Sequence, residues 1–398
     1  MVTRPIWLRI APLLALALVS ANSSSAQSGA EVVPKRPELP AERDSNSSRD
    51  YFFYGASQIG KRPERAAAAF YWAARLDPAW ADPLYGQYIA ALVAQPWRII
   101  HGYLIEDDVI RRDSLILSIE DIQRRALMRN PFVDRRFDGV LLDTWANGVP
   151  NGQAALLELR TDYPRLAAWM SYTYGNFQEA AVQYRRAIKK YPDNPWLQYE
   201  RVLPFVAMGR NDSAIAAMRA SLSVLRESDS SRAGSMYRSR AFHEFSLGVL
   251  FERGEQHDSA TAAYERSLLD DVTFYPAHLR LARMRLASGD TARALREYAD
   301  AAALNSRDPV ALYEFGALSM AAGRIDSAVV LLKQASTAEP YFAPPHYALG
   351  VIYEQSGFVE EAAEEYGVYL RLVPRAMTVQ IATVRRRIEG LTGTPAKP

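Results

Sequence analysis

From residue 241 onward the apolar positions fall into a frame that repeats every 34 residues. Small residues land on small ones at Gly248, Ala282, Gly316 and Gly350, and again at Ala260, Ala294, Ala328 and Ala362. Large residues share the frame at Leu247, Leu281, Phe315 and Leu349, and at Tyr264, Tyr298, Leu332 and Tyr366. Within each period the pattern is helical twice: His346, Leu349, Gly350 and Tyr353 share one face, and so do Ala362, Tyr366 and Tyr369. Gly289, Gly323 and Gly357 separate the halves, with Gly254 one place early; a glycine there lets the first helix end through a left-handed turn. Acids open the second half at Asp212, Asp258 and Asp326, where they are expected to cap amides and oppose the dipole. Prolines close units at Pro192, Pro340 and Pro374. A period of this length predicts stacked helix pairs.

The small positions predict close helix crossings, so a larger side chain at Gly350 or Ala362 costs roughly 1 to 3 kcal/mol in strain. Tyr366 fills the space between neighbouring units, and its truncation costs roughly 3 to 5 kcal/mol. Upstream, Gly175, Ala180, Tyr184 and Ala187 align with Gly209, Ala214, Met218 and Ser221. There Arg201 and Val202 replace the large-then-small pair, and Pro204 predicts a kink. A first unit is visible in Gly55, Ala66, Phe70, Ala73 and Pro78.

On these residues the chain resembles the tetratricopeptide repeat family over about two-thirds of its mature length. The resemblance implies an all-α fold, a right-handed superhelical α-solenoid of antiparallel helix pairs. It also implies a protein-interaction scaffold whose ligand, a peptide or helix, lies in a concave groove lined by the first helices. Compact contacts between neighbours are expected to leave that inner wall free.

The rest of the chain is organised around the array. Arg4 and Arg9 precede an apolar stretch, Ile10 to Val19, and Ser24-Ser25-Ala26 offers a cleavage site, so residues 1–26 read as an export signal. Residues 27–50 read as a flexible leader, with a chance glycosylation match at Asn46. A degenerate first unit spans 51–92 and an irregular helical insertion spans 93–160. Two units follow at 161–228, a linker at 229–240, four units at 241–376, and a capping helix and tail at 377–398. Arg385-Arg386-Arg387 is expected in the last turn of that helix, ahead of Gly390.

Composition narrows the function. Removing the signal leaves 45 basic against 45 acidic residues from the 47 and 45 of the full chain, a neutral balance that argues against nucleic acid as partner. The absence of cysteine excludes disulfides, thiolate nucleophiles, thiolate metal ligands and lipidation through cysteine. No segment of the mature chain reads as membrane-spanning. These features point to an exported protein of the periplasm or cell envelope with a protein or peptide ligand.

In the resembled family the groove is lined by recurrent positions of the first helices. Here they carry an aromatic and aliphatic ladder, Trp196, Tyr199, Phe242, Phe245, Leu279, Tyr313 and Tyr347, with Arg283 among sparse charges. Rigid amphipathic rings suit peptide binding; the alternative is that they pack between adjacent first helices. Family members that bind chaperones hold a carboxylate with a Lys, Arg and Asn cluster, and only Arg283 matches, so that activity is not implied. No catalytic residue, metal site or cofactor is expected. The histidines, His101, His243, His257, His278 and His346, lack metal-ligand spacing, and His278 and His346 share an equivalent position that suits packing. Glu106-Asp107-Asp108 and the pair Asp134 and Asp138 read as solvated surface. The rival readings are an enzyme or enzyme subunit with its chemistry in 93–160, and an exported carbohydrate- or lipid-binding protein.

Overall fold

The computed structural model describes residues 33–94, 114–148, 151–154, 163–225 and 239–393. The export signal at 1–26, His101, the run Glu106-Asp107-Asp108 and most of the 229–240 linker lie outside the described residues. The chain divides into Met1–Lys35, whose described residues form no regular element, and Arg36–Pro398, which carries the fold.

Among the described residues there are helices and no strands. Helices α1 (Ser48–Gln58) and α2 (Pro63–Leu76) pair, and α3 (Ala81–Val93) packs on both α2 and α4 (Ser114–Arg129). Helix α5 (Asp138–Gly148) leans on α3 and on α6 (Pro164–Thr173), which pairs with α7 (Phe177–Lys190). In the next unit the first helix is split at Arg201 into α8 (Pro195–Glu200) and α9 (Val202–Ala207), followed by α10 (Asn211–Val224). The kink expected from Pro204 is therefore a break: the residue brings no amide hydrogen and its ring crowds the carbonyl of Glu200. Four pairs follow, α11 (Arg240–Arg253) with α12 (His257–Asp270), α13 (Tyr275–Ala287) with α14 (Thr291–Leu304), α15 (Pro309–Ala321) with α16 (Ile325–Ala338), and α17 (Ala343–Gln355) with α18 (Val359–Leu372). Helix α19 (Thr378–Thr392) covers α18. The architecture is a tetratricopeptide-like α-solenoid.

The small positions work as the pattern requires. A Cβ added to Gly248 would lie 2.4 Å from the Tyr264 ring, at Gly350 2.6 Å from Tyr366, and at Gly316 2.9 Å from Leu332. Gly55 stands in the same relation to Phe70, at 3.0 Å, and Gly86 of α3 also meets that ring, at 2.7 Å. In the turns Gly289, Gly323 and Gly357 have φ of 80°, 71° and 78°. Gly254, one place early, has φ −92°, and Glu255 takes the left-handed conformation at φ 56°. Gly254 is small for another reason: Asn211 reaches past it to donate to the Leu250 carbonyl at 3.2 Å, where a Cβ would lie 2.5 Å from Asn211 Nδ2.

Two local expectations need correction. Asp212, Asp258 and Asp326 sit inside the first turn, where they oppose the dipole, but the cap positions Arg210, Gln256 and Arg324 carry no side-chain cap. The arginine run does not end its helix either: α19 continues to Thr392 and stops at Gly393, φ 66°, leaving Arg387 mid-helix with its side chain on Glu354 at 2.6 Å.

Candidate protein-interaction surface

The ladder residues do not form one exposed stripe. Tyr199, Phe242 and Phe245 are fully buried and Leu279 nearly so. Tyr199 lies between Phe132, stacked at 6.3 Å, and Phe242 at 5.4 Å. Phe245 packs on Tyr264 and Phe274 at 5.8 and 5.4 Å. The physical reason is that this position of a first helix faces the seam where the next unit comes to rest. Tyr313, edge-on to Phe342 at 5.4 Å, and Tyr347, against Tyr369 at 5.3 Å, remain half-buried. Trp196 is half-buried beneath the Arg165 guanidinium, 4.5 Å from its centroid, and donates to Glu200. Arg283 is held by Glu314 through two hydrogen bonds of 2.9 and 2.7 Å.

The inner wall is not free over its middle units, because the end of α4 and the turn after it lie on it. Tyr199 Oη donates to the Pro131 carbonyl at 2.6 Å, and Arg280 donates to the Arg129 carbonyl at 3.2 Å. Arg253 donates to Asn130 Oδ1 at 3.3 Å and its guanidinium lies 5.3 Å from the Phe132 ring. Arg129 in turn donates to Asp308 Oδ1 at 2.7 Å, with both side chains largely shielded from water. A cavity of about 90 Å³ remains between Met128, Arg129, Tyr275, Leu279, Arg280 and Arg283. The sequence pattern had no means of showing this contact, since residues 129–132 are remote from the repeats they touch.

Charged groups of the groove tie unit to unit. Tyr264 Oη donates to Glu252 at 2.6 Å, and Glu252 accepts from Arg280 of the next unit at 3.0 Å. Tyr298 donates to Glu314 at 3.1 Å, the carboxylate that also holds Arg283. Tyr366 donates to Glu354 at 2.6 Å, which accepts from Arg387 of α19. The Tyr366 hydroxyl, against the effect of burial and with Arg387, holds the Glu354 carboxyl below its ordinary range. Burial first and the carboxylates second push Tyr264 and Tyr298 well above the usual tyrosine range. The signal for these triads was present in the recurrence of Glu twelve residues before Tyr at Glu252 and Glu354.

Folding does bring one histidine to two acids, His278 with Glu297 and Asp300 from the facing helix. Both ring nitrogens are engaged, Nδ1 with Glu297 at 2.7 Å and Nε2 with the Val272 carbonyl at 3.1 Å. Burial alone would lower the imidazole pKa, but these two acceptors outweigh it and raise it, which favours the imidazolium donating at both ends. Both nitrogens that a metal could use are thus already engaged within the protein. The same contact recurs at His346 and Glu365, at 2.7 Å, as a repeated packing feature.

Asp138 departs from its expected place on solvated surface. It is buried, accepting from Tyr85 Oη at 2.8 Å and from Trp169 Nε1 at 2.9 Å, and so joins α3, α5 and α6. Burial pushes its carboxyl up to about 6, against Arg135 and the two donors. Asp134, half-buried and paired with Arg136 at the surface, fits the expectation.

Residues 285–340 match the tetratricopeptide repeat family. Helix pairs stacked in series at the same spacing continue on either side of that stretch. Similar solved structures include PilW, a type IV pilus biogenesis factor, at 20% identity, covering 56% of this chain and 96% of that one with a TM-score of 0.42. PilF of Pseudomonas aeruginosa is 16% identical over 58% of this chain and 99% of its own, with a TM-score of 0.44. YrrB, a repeat protein with an unusual peptide-binding site, is 17% identical over 52% and 99%, with a TM-score of 0.41. None of the curated proteins matches the sequence. No helix among the described residues is long and apolar enough to cross a membrane.

Proposed function

We propose that this chain is a non-enzymatic protein-interaction scaffold of the bacterial cell envelope that holds an extended peptide or helix against its first helices. One observation carries the reading: that face already holds a peptide turn of its own chain. Tyr199 and Arg280 donate to the backbone carbonyls of Pro131 and Arg129, the sequence-independent part of peptide recognition, while Arg253 reads Asn130 and Phe132. Tyr313 and Tyr347, in the units beyond that turn, keep surface available to a ligand. The tetratricopeptide match supports the same reading, and the pattern of Arg4, Arg9, Ile10 to Val19 and Ala26 supports export.

A photo-crosslinking side chain placed at Tyr313 or Tyr347 in cells is expected to form adducts with a partner protein. Leu269, 85% exposed at the end of a second helix, serves as the comparison position. Adducts at Leu269 alone, or none at either tyrosine, refute the groove. N-terminal sequencing of protein from envelope fractions is expected to begin at Gln27, and a retained Met1 in cytoplasmic fractions refutes export.

A further inference from the structure

The two ends of the repeat stack meet. Arg75 Nε, at the end of α2, donates to both oxygens of Glu339 at 3.0 and 2.9 Å, just ahead of α17. Its guanidinium lies 4.7 Å from the Tyr341 ring, which Trp72 meets edge-on at 4.8 Å. Arg36 approaches the same two rings, 5.6 Å from Tyr341 and 4.9 Å from Trp72. Further along, Asp44 accepts from the Arg375 amide at 2.6 Å, the Arg43 carbonyl accepts from the Arg375 side chain at 2.8 Å, and Asn46 donates to the Arg371 carbonyl at 2.7 Å. The expected flexible leader is thus docked from Arg36 onward.

These contacts carry less apolar surface than those inside the stack. The hydrophobic clusters around Tyr298, around Leu332 and Leu349, and around Tyr366 and Val384 contain no residue of 36–76 among the described residues. Among the described residues, Tyr341 is the one from the last units that joins the cluster of Tyr51, Trp72 and Ala73. Seams between successive units combine apolar clusters with ion pairs such as Arg280 to Glu252 and Arg283 to Glu314. Apart from Tyr341, the closing seam consists of ion pairs, cation–π contacts and hydrogen bonds to loops; the exposed ones, such as Arg375 with Asp44, are weak and screened by electrolyte, while the shielded Arg75–Glu339 pair is the strongest of them.

We infer that residues 36–76 form a reversible clasp holding the two ends of the stack together through Glu339 and Tyr341, and that a ligand of the groove selects the unclasped state. The second half rests on the function proposed above. While closed, Arg36, Trp72 and Arg75 occupy the entry to α17, the helix that carries Tyr347. A ligand that engages only the open form shifts the population toward it by its differential affinity.

The chain has no cysteine, so Glu42→Cys with Ala376→Cys, both exposed, gives two spin-label positions flanking the seam. The expected result at low ionic strength is a dominant short distance, with a longer one growing as salt is raised. Glu339→Gln is expected to lower the closed-to-open ratio about tenfold, as loss of a shielded two-point ion pair implies. Tyr341→Leu is expected to act in the same direction, and Arg285→Gln, on an ion pair remote from the seam, to leave the ratio unchanged. A single unchanged distance in Glu339→Gln and across the salt series of the unmodified seam overturns the clasp. If the distances respond while crosslinking at Tyr347 does not rise in Glu339→Gln, the clasp stands and its control of ligand access is refuted.

Discussion

Asp138 offers the sharpest test of the packing around α5. Its carboxyl has no exposed face, it accepts one hydrogen bond at each oxygen, and burial raises its pKa from 3.8 to about 6. A raised carboxyl favours the folded state when protonated, so its contribution is greatest below the unfolded value and is lost as pH rises through the folded one. The shift of about 2 units corresponds to about 3 kcal/mol lost between pH 4 and 6. Asp138→Asn imitates the protonated form: its carbonyl accepts from Trp169, and its amide donates to the Tyr85 oxygen once that hydroxyl turns. The variant is therefore expected to be more stable than the parent at pH 7, by up to about 3 kcal/mol, and to show no loss over pH 4 to 6. Urea unfolding followed by tryptophan fluorescence suits the measurement, because Trp169 is itself a partner of the site. Parallel stability profiles for the two proteins, or a variant weaker at neutral pH, would refute the reasoning.

Other outcomes follow from the repeats. Glu255→Gly removes a side chain from a left-handed backbone conformation and is expected to raise stability by about 0.5 to 1 kcal/mol after the entropy of the added glycine, read as a urea midpoint. Gly350→Ala places a methyl against Tyr366 and is expected to cost about 1 to 3 kcal/mol. Adding Tyr366→Leu, which puts the smaller residue found at Leu332 opposite position 350, is expected to recover part of that loss, so an additive double mutant would contradict the close crossing. His278, raised by Glu297 and Val272 against burial, contributes stability that is complete below its unfolded pKa and disappears as pH rises through the folded one. The difference from His278→Gln, measured by urea unfolding from pH 6 to 9, should shrink with rising pH, and a constant difference would sink the imidazolium assignment.

Most of the helix pairs could be read from the chain because their determinants are local. Gly350 against Tyr366, or Gly323 in its turn, is a relation between residues less than one period apart, and it recurs often enough to be seen. The candidate surface was less legible. The position shared by Phe245 and Tyr347 looks the same in sequence at every unit, yet Phe245 is sealed by Phe274 and Tyr264 while Tyr347 keeps accessible surface. Asp138 lay in a segment without the repeat frame, and nothing near it in sequence announces Tyr85 and Trp169 as its donors.

The linear pattern by itself determined the helices, their pairing, the close crossings and the repeat architecture, since each depends on neighbours within one or two turns or one repeat. Only the tertiary structure decided what lies on the inner wall. Arg129 meets Asp308 and Arg75 meets Glu339 through the accumulated rotation of many stacked units, and small angles summed over a long stack leave no periodic trace in the residues that finally touch.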